Sequence, residues 1–212
     1  MSQTPSETDD RRFMARAIEL ATGQLGQTAP NPPVGCVLVK DGQVLAEAAT
    51  ARGGRPHAEE QAIPAAGEAV SGAVAYVTME PCGARSSGRI SCAQRLIDAG
   101  VSRVVVACQD PSPFAAGRGV EKLRSAGLEV ELGCMADEAS VLAEGYLNRL
   151  KTGLPLVRIS PDGQGFDARF AAAPQADLEA ELRRLGEAGY MRVWVPEGAL
   201  AEALQTRGLL AR

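Results

Sequence analysis

Three short segments of this chain place metal-binding and proton-transferring side chains in order: His57-Ala58-Glu59, then Glu80-Pro81-Cys82, then Cys92. An imidazole and two thiolates are good zinc ligands, and a set of three protein ligands leaves the fourth tetrahedral position open to water, as in catalytic rather than structural sites. Glu59, two residues after the histidine on the first turn of an expected helix, reaches such a water without binding the metal itself. Zinc lowers the pKa of its water toward ~7, and Glu59 then serves as the base that takes the proton and passes it on. A helix beginning at Cys92 favours thiolate there, because helix N-termini and metals both lower a thiol's pKa. Taken singly, each residue has a plainer explanation: an ordinary histidine, a solvated helical carboxylate, or buried apolar cysteines of the kind expected at Cys36, Cys108 and Cys134. Their order along the chain, with Pro-Cys directly after a strand, favours the zinc reading.

His57 is the only histidine among 212 residues, so histidine-only ligation is impossible and a site of this type needs two of the five cysteines. An odd cysteine count argues against a secreted disulfide framework and for an intracellular chain. The polar start, Met1 to Arg12, lacks the apolar core of a signal peptide, and the cytoplasm is the expected location. With 45% hydrophobic residues the chain can build a real core, yet no stretch approaches the ~18 apolar residues of a membrane span. A net charge of −4 argues against nucleic acid, which needs a concentrated positive surface, and points to a small-molecule substrate.

Several elements must position these residues. Asp9 and Asp10 are expected to cap a helix bearing Phe13, Ala17, Leu20 and Ala21 at helical spacing. A rigid loop, Ala29 to Pro33, precedes a buried strand from Val34 to Val39, a turn at Asp41-Gly42 and a returning strand from Gln43 to Ala49. From His57 onward helices and strands alternate: helices over about 57–66, 92–99, 119–126 and 136–150, strands over 73–78, 103–108 and 128–132. Pro64 should kink the first of these helices or end it early. Gly100, Gly127 and Gly153 fall where left-handed caps would close helices. The class is therefore α/β, with helices on both faces of a sheet led by an antiparallel hairpin. A strand from Leu154, a Gly-rich turn at Pro161-Asp162-Gly163, a helix near 176–188, a strand from Tyr190 and a last helix near 197–207 complete the chain.

Histidine-x-glutamate followed by proline-cysteine and a second cysteine is the signature of zinc-dependent nucleobase and nucleoside deaminases. Cys82 and Cys92 are separated by nine residues, where most of that superfamily has two, and a long insertion there points to one family. Residues from about Asp9 to Arg158 resemble the deaminase domain of the bifunctional riboflavin-biosynthesis deaminase/reductase. The likeness is carried by Asn31 to Val37, Pro56-His57-Ala58-Glu59, Tyr76 to Cys82, Gly88-Arg89, Asp110 to Pro113 with Ala116 to Gly119, and Glu144 to Leu147. The resemblance implies a cytidine deaminase-like three-layer α/β/α sandwich with a mixed sheet over residues 1–152. It also implies hydrolytic deamination of 2,5-diamino-6-ribosylamino-4(3H)-pyrimidinone 5′-phosphate, with His57, Cys82 and Cys92 on zinc and Glu59 as proton shuttle. Asn31, Ala58, Glu80 and Arg89 would contact the substrate, Asn31 through an amide that offers both donor and acceptor to a flat heterocycle, Arg89 through the phosphate. Association into a homodimer or higher oligomer is also implied.

The chain departs from the family in places. Two histidines usual in the cysteine loop are replaced by Gly83 to Ser87, and Thr50 stands where a histidine is usual before the metal histidine. These changes keep a second reading open, a paralogue acting on another aminated base, nucleoside or nucleotide, and a third, a non-catalytic zinc-binding member. Residues 153–212 resemble the first strand and the end of a reductase-like domain, a small α/β remnant without a Gly-rich loop for a dinucleotide, so neither reductase activity nor NADPH binding is expected.

Overall fold

The structure is a computed structural model that describes residues 6–85 and 88–211; Met1 to Pro5 of the polar start, Ser86 and Ser87 of the cysteine loop, and Arg212 lie outside the described residues. It divides into two compact units, one built from residues up to 23, 34–51 and 56–142, the other from 24–33, 52–55 and 143–212.

The first unit begins with α1 (Glu7–Thr22), β1 (Gly35–Lys40) and β2 (Gln43–Ala49). The helix starts earlier than Asp9 and Asp10 suggest, because Ser6 is the N-cap: its hydroxyl accepts the Asp9 N–H at 3.3 Å, and the Asp9 carboxylate accepts the Ser6 N–H at 3.3 Å. Asp10 is thereby released to a buried network, where its carboxylate accepts the Tyr76 hydroxyl at 2.7 Å and two Arg103 N–H groups at 2.9 and 2.7 Å. Asp41 and Gly42 both take positive φ, 50° and 75°, as the tight hairpin turn requires. Gly35 lets the hairpin meet α1 closely, since a Cβ there would lie 1.9 Å from the Ala17 carbonyl oxygen.

α2 (Ala58–Ala66), β3 (Val74–Met79), α3 (Cys92–Asp98), β4 (Arg103–Cys108), α4 (Arg118–Ser125), β5 (Glu129–Leu132) and α5 (Ala136–Thr152) follow. Pro64 is contained within α2, which runs two residues further and passes at Gly67, with φ 58°, into a short 3-10 turn. The five strands are ordered β2-β1-β3-β4-β5, with β1 antiparallel to both its neighbours and β3, β4 and β5 mutually parallel.

The period of two along the strands divides the core into two layers. Cys36, Leu38, Ala75, Val77, Val104 and Val106 pack with Ala58 and Ala62 of α2, Ala93 and Leu96 of α3 and Leu123 of α4. The alternate residues Val37, Val39, Tyr76, Val105 and Ala107 pack with Phe13, Met14 and Ala17 of α1 and Ala139 of α5. The result is the expected three-layer α/β/α sandwich with a mixed sheet.

The second unit holds a parallel three-stranded sheet of β6 (Leu156–Ile159), β7 (Ala168–Arg169) and β8 (Arg192–Val195), ordered β6-β8-β7. With α6 (Leu178–Glu187) and α7 (Ala199–Thr206), it encloses its own core of Val157, Phe170, Leu178, Leu182, Val193, Val195 and Leu204. The two-residue β7 is too short to show any periodicity in sequence. No described helix is long and apolar enough to cross a membrane.

Candidate metal centre

In the first unit the chain leaves the carboxyl end of the central parallel strand β3 as Glu80-Pro81-Cys82, and the N-termini of α2 and α3 converge on that point. Glu80 directs this exit. Its N–H donates to the Cys108 carbonyl at 2.8 Å, and its buried carboxylate accepts four backbone N–H groups, Gly119 at 3.0 Å and Val120 at 3.2 Å on Oε1, Gly117 at 3.2 Å and Asp110 at 3.4 Å on Oε2. The anion thus sits at the N-terminus of α4, where the helix dipole favours it. Gly119 permits the approach, because a Cβ there would lie 1.9 Å from the Pro81 carbonyl oxygen. Beyond Cys82, the Gly83 and Ala84 N–H groups donate to the Phe114 carbonyl at 3.0 and 3.1 Å.

His57 occupies the N-cap position of α2 with extended backbone, and its N–H donates to the Glu60 carboxylate at 2.9 Å. Ser91 caps α3, its hydroxyl accepting the Gln94 N–H at 3.3 Å, so Cys92 is the first helical residue. The three side chains meet: His57 Nδ1 lies 3.4 Å from Cys92 Sγ, the Cys92 N–H donates to Cys82 Sγ at 3.3 Å, and the three ligand atoms lie within 4.8 Å of one another. Tetrahedral zinc with Zn–S of ~2.3 Å and Zn–N of ~2.0 Å sets its ligand atoms roughly 3.5–3.8 Å apart, so the donor set fits that ion in type and spacing. Among the described residues this is the one group of side chains arranged to hold a metal.

The electrostatics favour thiolate at Cys82 rather than at Cys92, where the helix start alone would place it. The Cys82 thiol is pulled far below its usual range, first by the Cys92 thiol donating to it and then by His57, the Cys92 N–H and Arg85, while Cys92 moves up as the partner that keeps the proton. Glu59 is 2% exposed, and burial raises its pKa against the opposing pull of His57. The Cys92 thiol faces its carboxylate. A carboxylate whose protonated form is favoured by burial is suited to take up and return a proton.

The other residues expected at the substrate fall differently. Ala58 is fully buried on the first turn of α2. Glu80 has both carboxylate oxygens engaged by backbone amides, as above. Arg89 is exposed on the cysteine loop. Asn31 belongs to the second unit, where its Nδ2 donates to the Gly54 carbonyl at 2.9 Å. Thr50 is buried, its hydroxyl accepting the Val34 N–H at 3.0 Å. Sequence reasoning passed over two side chains packed against the metal ligands, Glu60 and Arg85. Glu60 stands three residues after an N-cap position, which is a readable capping signal, whereas nothing in the loop sequence marks Arg85.

The cytidine and deoxycytidylate deaminase zinc-binding region matches residues 7–108. Fold and donor set thus define the class, the cytidine deaminase-like zinc deaminases. The riboflavin biosynthesis protein RibD of Escherichia coli is 45% identical over 185 residues, covering 82% of this chain and 50% of its own length. The diaminohydroxyphosphoribosylamino-pyrimidine deaminase of Buchnera aphidicola is 39% identical over 149 residues, 69% of this chain and 99% of that protein. Among solved structures, RibD of Acinetobacter baumannii superposes with a TM-score of 0.78 at 30% identity, covering 96% of this chain and 85% of that one. The chain belongs to the family of riboflavin-biosynthesis deaminases. It spans half or less of the length of the Escherichia coli and Haemophilus influenzae RibD proteins and of the maize PYRD protein.

Proposed function

We propose that the chain is a zinc-dependent hydrolytic deaminase acting on 2,5-diamino-6-ribosylamino-4(3H)-pyrimidinone 5′-phosphate, which it converts to the corresponding pyrimidinedione with release of ammonia. The observation that carries this reading is a buried carboxylate, Glu59, beside the donor set His57 Nδ1, Cys82 Sγ and Cys92 Sγ, three ligands that leave a fourth position free. Zinc held by His57, Cys82 and Cys92 would supply a Lewis acid that lowers the pKa of a water molecule toward ~7. Glu59 accepts the proton as the water oxygen bonds to the amino-bearing ring carbon, and delivers it to the adjacent ring nitrogen. It then takes the proton of the new hydroxyl group and passes it to the amino group, so that the C–N bond breaks with ammonia as the neutral leaving group and a carbonyl remains.

The names and identities of the relatives support the pyrimidine phosphate as substrate. Asn31, Ala58 and Arg89 are assigned to its recognition, Arg89 to the phosphate. Glu80 is assigned to the rim of the pocket through the loop it holds. Five unpaired cysteines support a cytoplasmic site of action, and the working unit is a homodimer or larger homo-oligomer. Residues 153–212 are read as a reductase-like segment with no cofactor to bind, and titration with NADPH should leave its fluorescence unchanged.

The test is ammonia release from the pyrimidine phosphate by zinc-loaded protein and by Glu59→Gln. The variant should keep one zinc per chain and lose about 10²–10⁴-fold in kcat. Full activity in the variant would remove Glu59 from the reaction, and zinc-loaded wild type inert on this compound but active on another aminopyrimidine or purine would reassign the substrate.

A further inference from the structure

Resting on the zinc reading above, we propose that Arg85 is a positioning residue for the metal thiolates, held by Glu60 and aimed at Cys92, so that one ion pair joins the two helix ends that carry His57 and Cys92.

The arrangement is a chain of contacts through buried charge. The Arg85 side chain is 2% exposed and that of Glu60 10%. Nη1 of Arg85 donates to Glu60 Oε1 at 2.9 Å and Nη2 to Oε2 at 2.7 Å, the two-pronged geometry that fixes a guanidinium plane. The same Nη2 lies 3.6 Å from Cys92 Sγ. On its other side Glu60 Oε2 accepts the His57 N–H at 2.9 Å, and Arg95 Nη2 lies 3.5 Å from Oε1. A single carboxylate therefore ties the backbone of one metal ligand to a cation resting on the sulfur of another.

Burying an ion pair is costly, and a pair that only braced two segments would be as well served by apolar side chains of similar volume. What apolar side chains cannot do is place positive charge on sulfur. Two thiolates and a neutral imidazole balance the charge of Zn²⁺, and Glu60, shared with Arg95, offsets part of the charge on Arg85, while the guanidinium N–H dipole withdraws electron density from Cys92. Groups of this kind, one contact removed from the metal, orient the ligands and tune the ion, and their loss typically weakens metal binding by about 10–100-fold. Lysine would serve poorly, since a compact ammonium cannot span a carboxylate and a sulfur in one plane.

The experiment uses the full chain. Zinc affinity is measured by competition with a chromophoric chelator for wild type, Arg85→Met, Arg85→Lys and Glu60→Gln, and each protein is also loaded with Co²⁺ to record the thiolate-to-cobalt charge-transfer absorption. Arg85→Met should bind zinc about 10–100-fold more weakly. Its charge-transfer band should move to longer wavelength, because a thiolate relieved of the cation gives up its electron more easily. Arg85→Lys should fall between the two, and Glu60→Gln should shift both readouts in the same direction. Where Arg85→Met does not fold, Arg85→Lys decides. Zinc affinity and cobalt spectrum equal to wild type in whichever arginine variant folds overturn the inference, even if the melting temperature falls, since that pattern describes a brace alone. A wild type that binds no zinc overturns the zinc reading and this inference with it, so the two failures are distinguished by the wild-type measurement.

Discussion

Glu80→Gln separates two roles for a carboxylate at the metal loop, support of the backbone and contact with substrate. In the folded protein Oε1 accepts two N–H groups, from Gly119 and Val120, and Oε2 two more, from Gly117 and Asp110. Glutamine keeps one acceptor and turns an NH₂ toward the other pair, leaving two buried N–H donors facing a donor. A hydrogen bond to a charged group contributes about 1.5–3 kcal/mol, and with some relaxation of the 110–120 loop the loss comes to about 3–4 kcal/mol. In a chain of this size each kcal/mol moves the melting temperature by roughly 2–4 °C, so a fall of about 10 °C is expected. Thermal unfolding by circular dichroism, with KM and kcat measured well below the transition, is the assay. Support of the backbone lowers the melting temperature and leaves KM within about twofold. A melting temperature within 2 °C or so of wild type together with a raised KM would refute this account of Glu80 and return the carboxylate to the substrate.

Removing zinc with a chelator should abolish ammonia release and lower the melting temperature. A ligand present at about 100 times its Kd stabilises by about 2.7 kcal/mol, a shift of roughly 5–10 °C that added Zn²⁺ restores. Tyr76→Phe deletes the hydroxyl that donates to buried Asp10 at 2.7 Å, and denaturant unfolding should show a loss of about 1–2 kcal/mol, less than a lone buried carboxylate would suffer because Arg103 still holds it. Glu60 supplies a pH signature. Burial alone would raise its pKa, but the Arg85 guanidinium and the His57 N–H hold it at about 2, against 4.5 unperturbed. A depressed pKa stabilises the fold above about pH 4.5 and is lost as pH falls toward 2, here by at most about 3 kcal/mol. Metal-free Glu60→Gln should therefore show a shallower decline in stability than metal-free wild type across that window in urea titrations, and parallel declines would exclude the ion pair as its source.

The metal set was legible because its chemistry is carried by residue type and order. With one histidine in the chain, any such site had to draw on the cysteines, and Pro-Cys after a strand with a second cysteine at a helix start left little choice among them. The sandwich was legible for a similar reason, since the alternation of Cys36 and Leu38 with Val37 and Val39 is a local pattern that assigns opposite faces of a sheet before any partner is known. Charged side chains were not legible in this way. Asp10 reads as a helix cap, yet a partner 93 positions away in sequence, Arg103, claims it. Nothing near Glu80 in sequence marks the four backbone N–H groups that residues 110–120 bring to its carboxylate, and Arg85 reads as a loop arginine until Glu60 faces it. Local sequence determines which backbone conformation and which face a residue takes, because those follow from steric and hydrophobic preferences of near neighbours. Which partner a buried charge meets depends on segments distant in the chain, and only the assembled tertiary structure decides it.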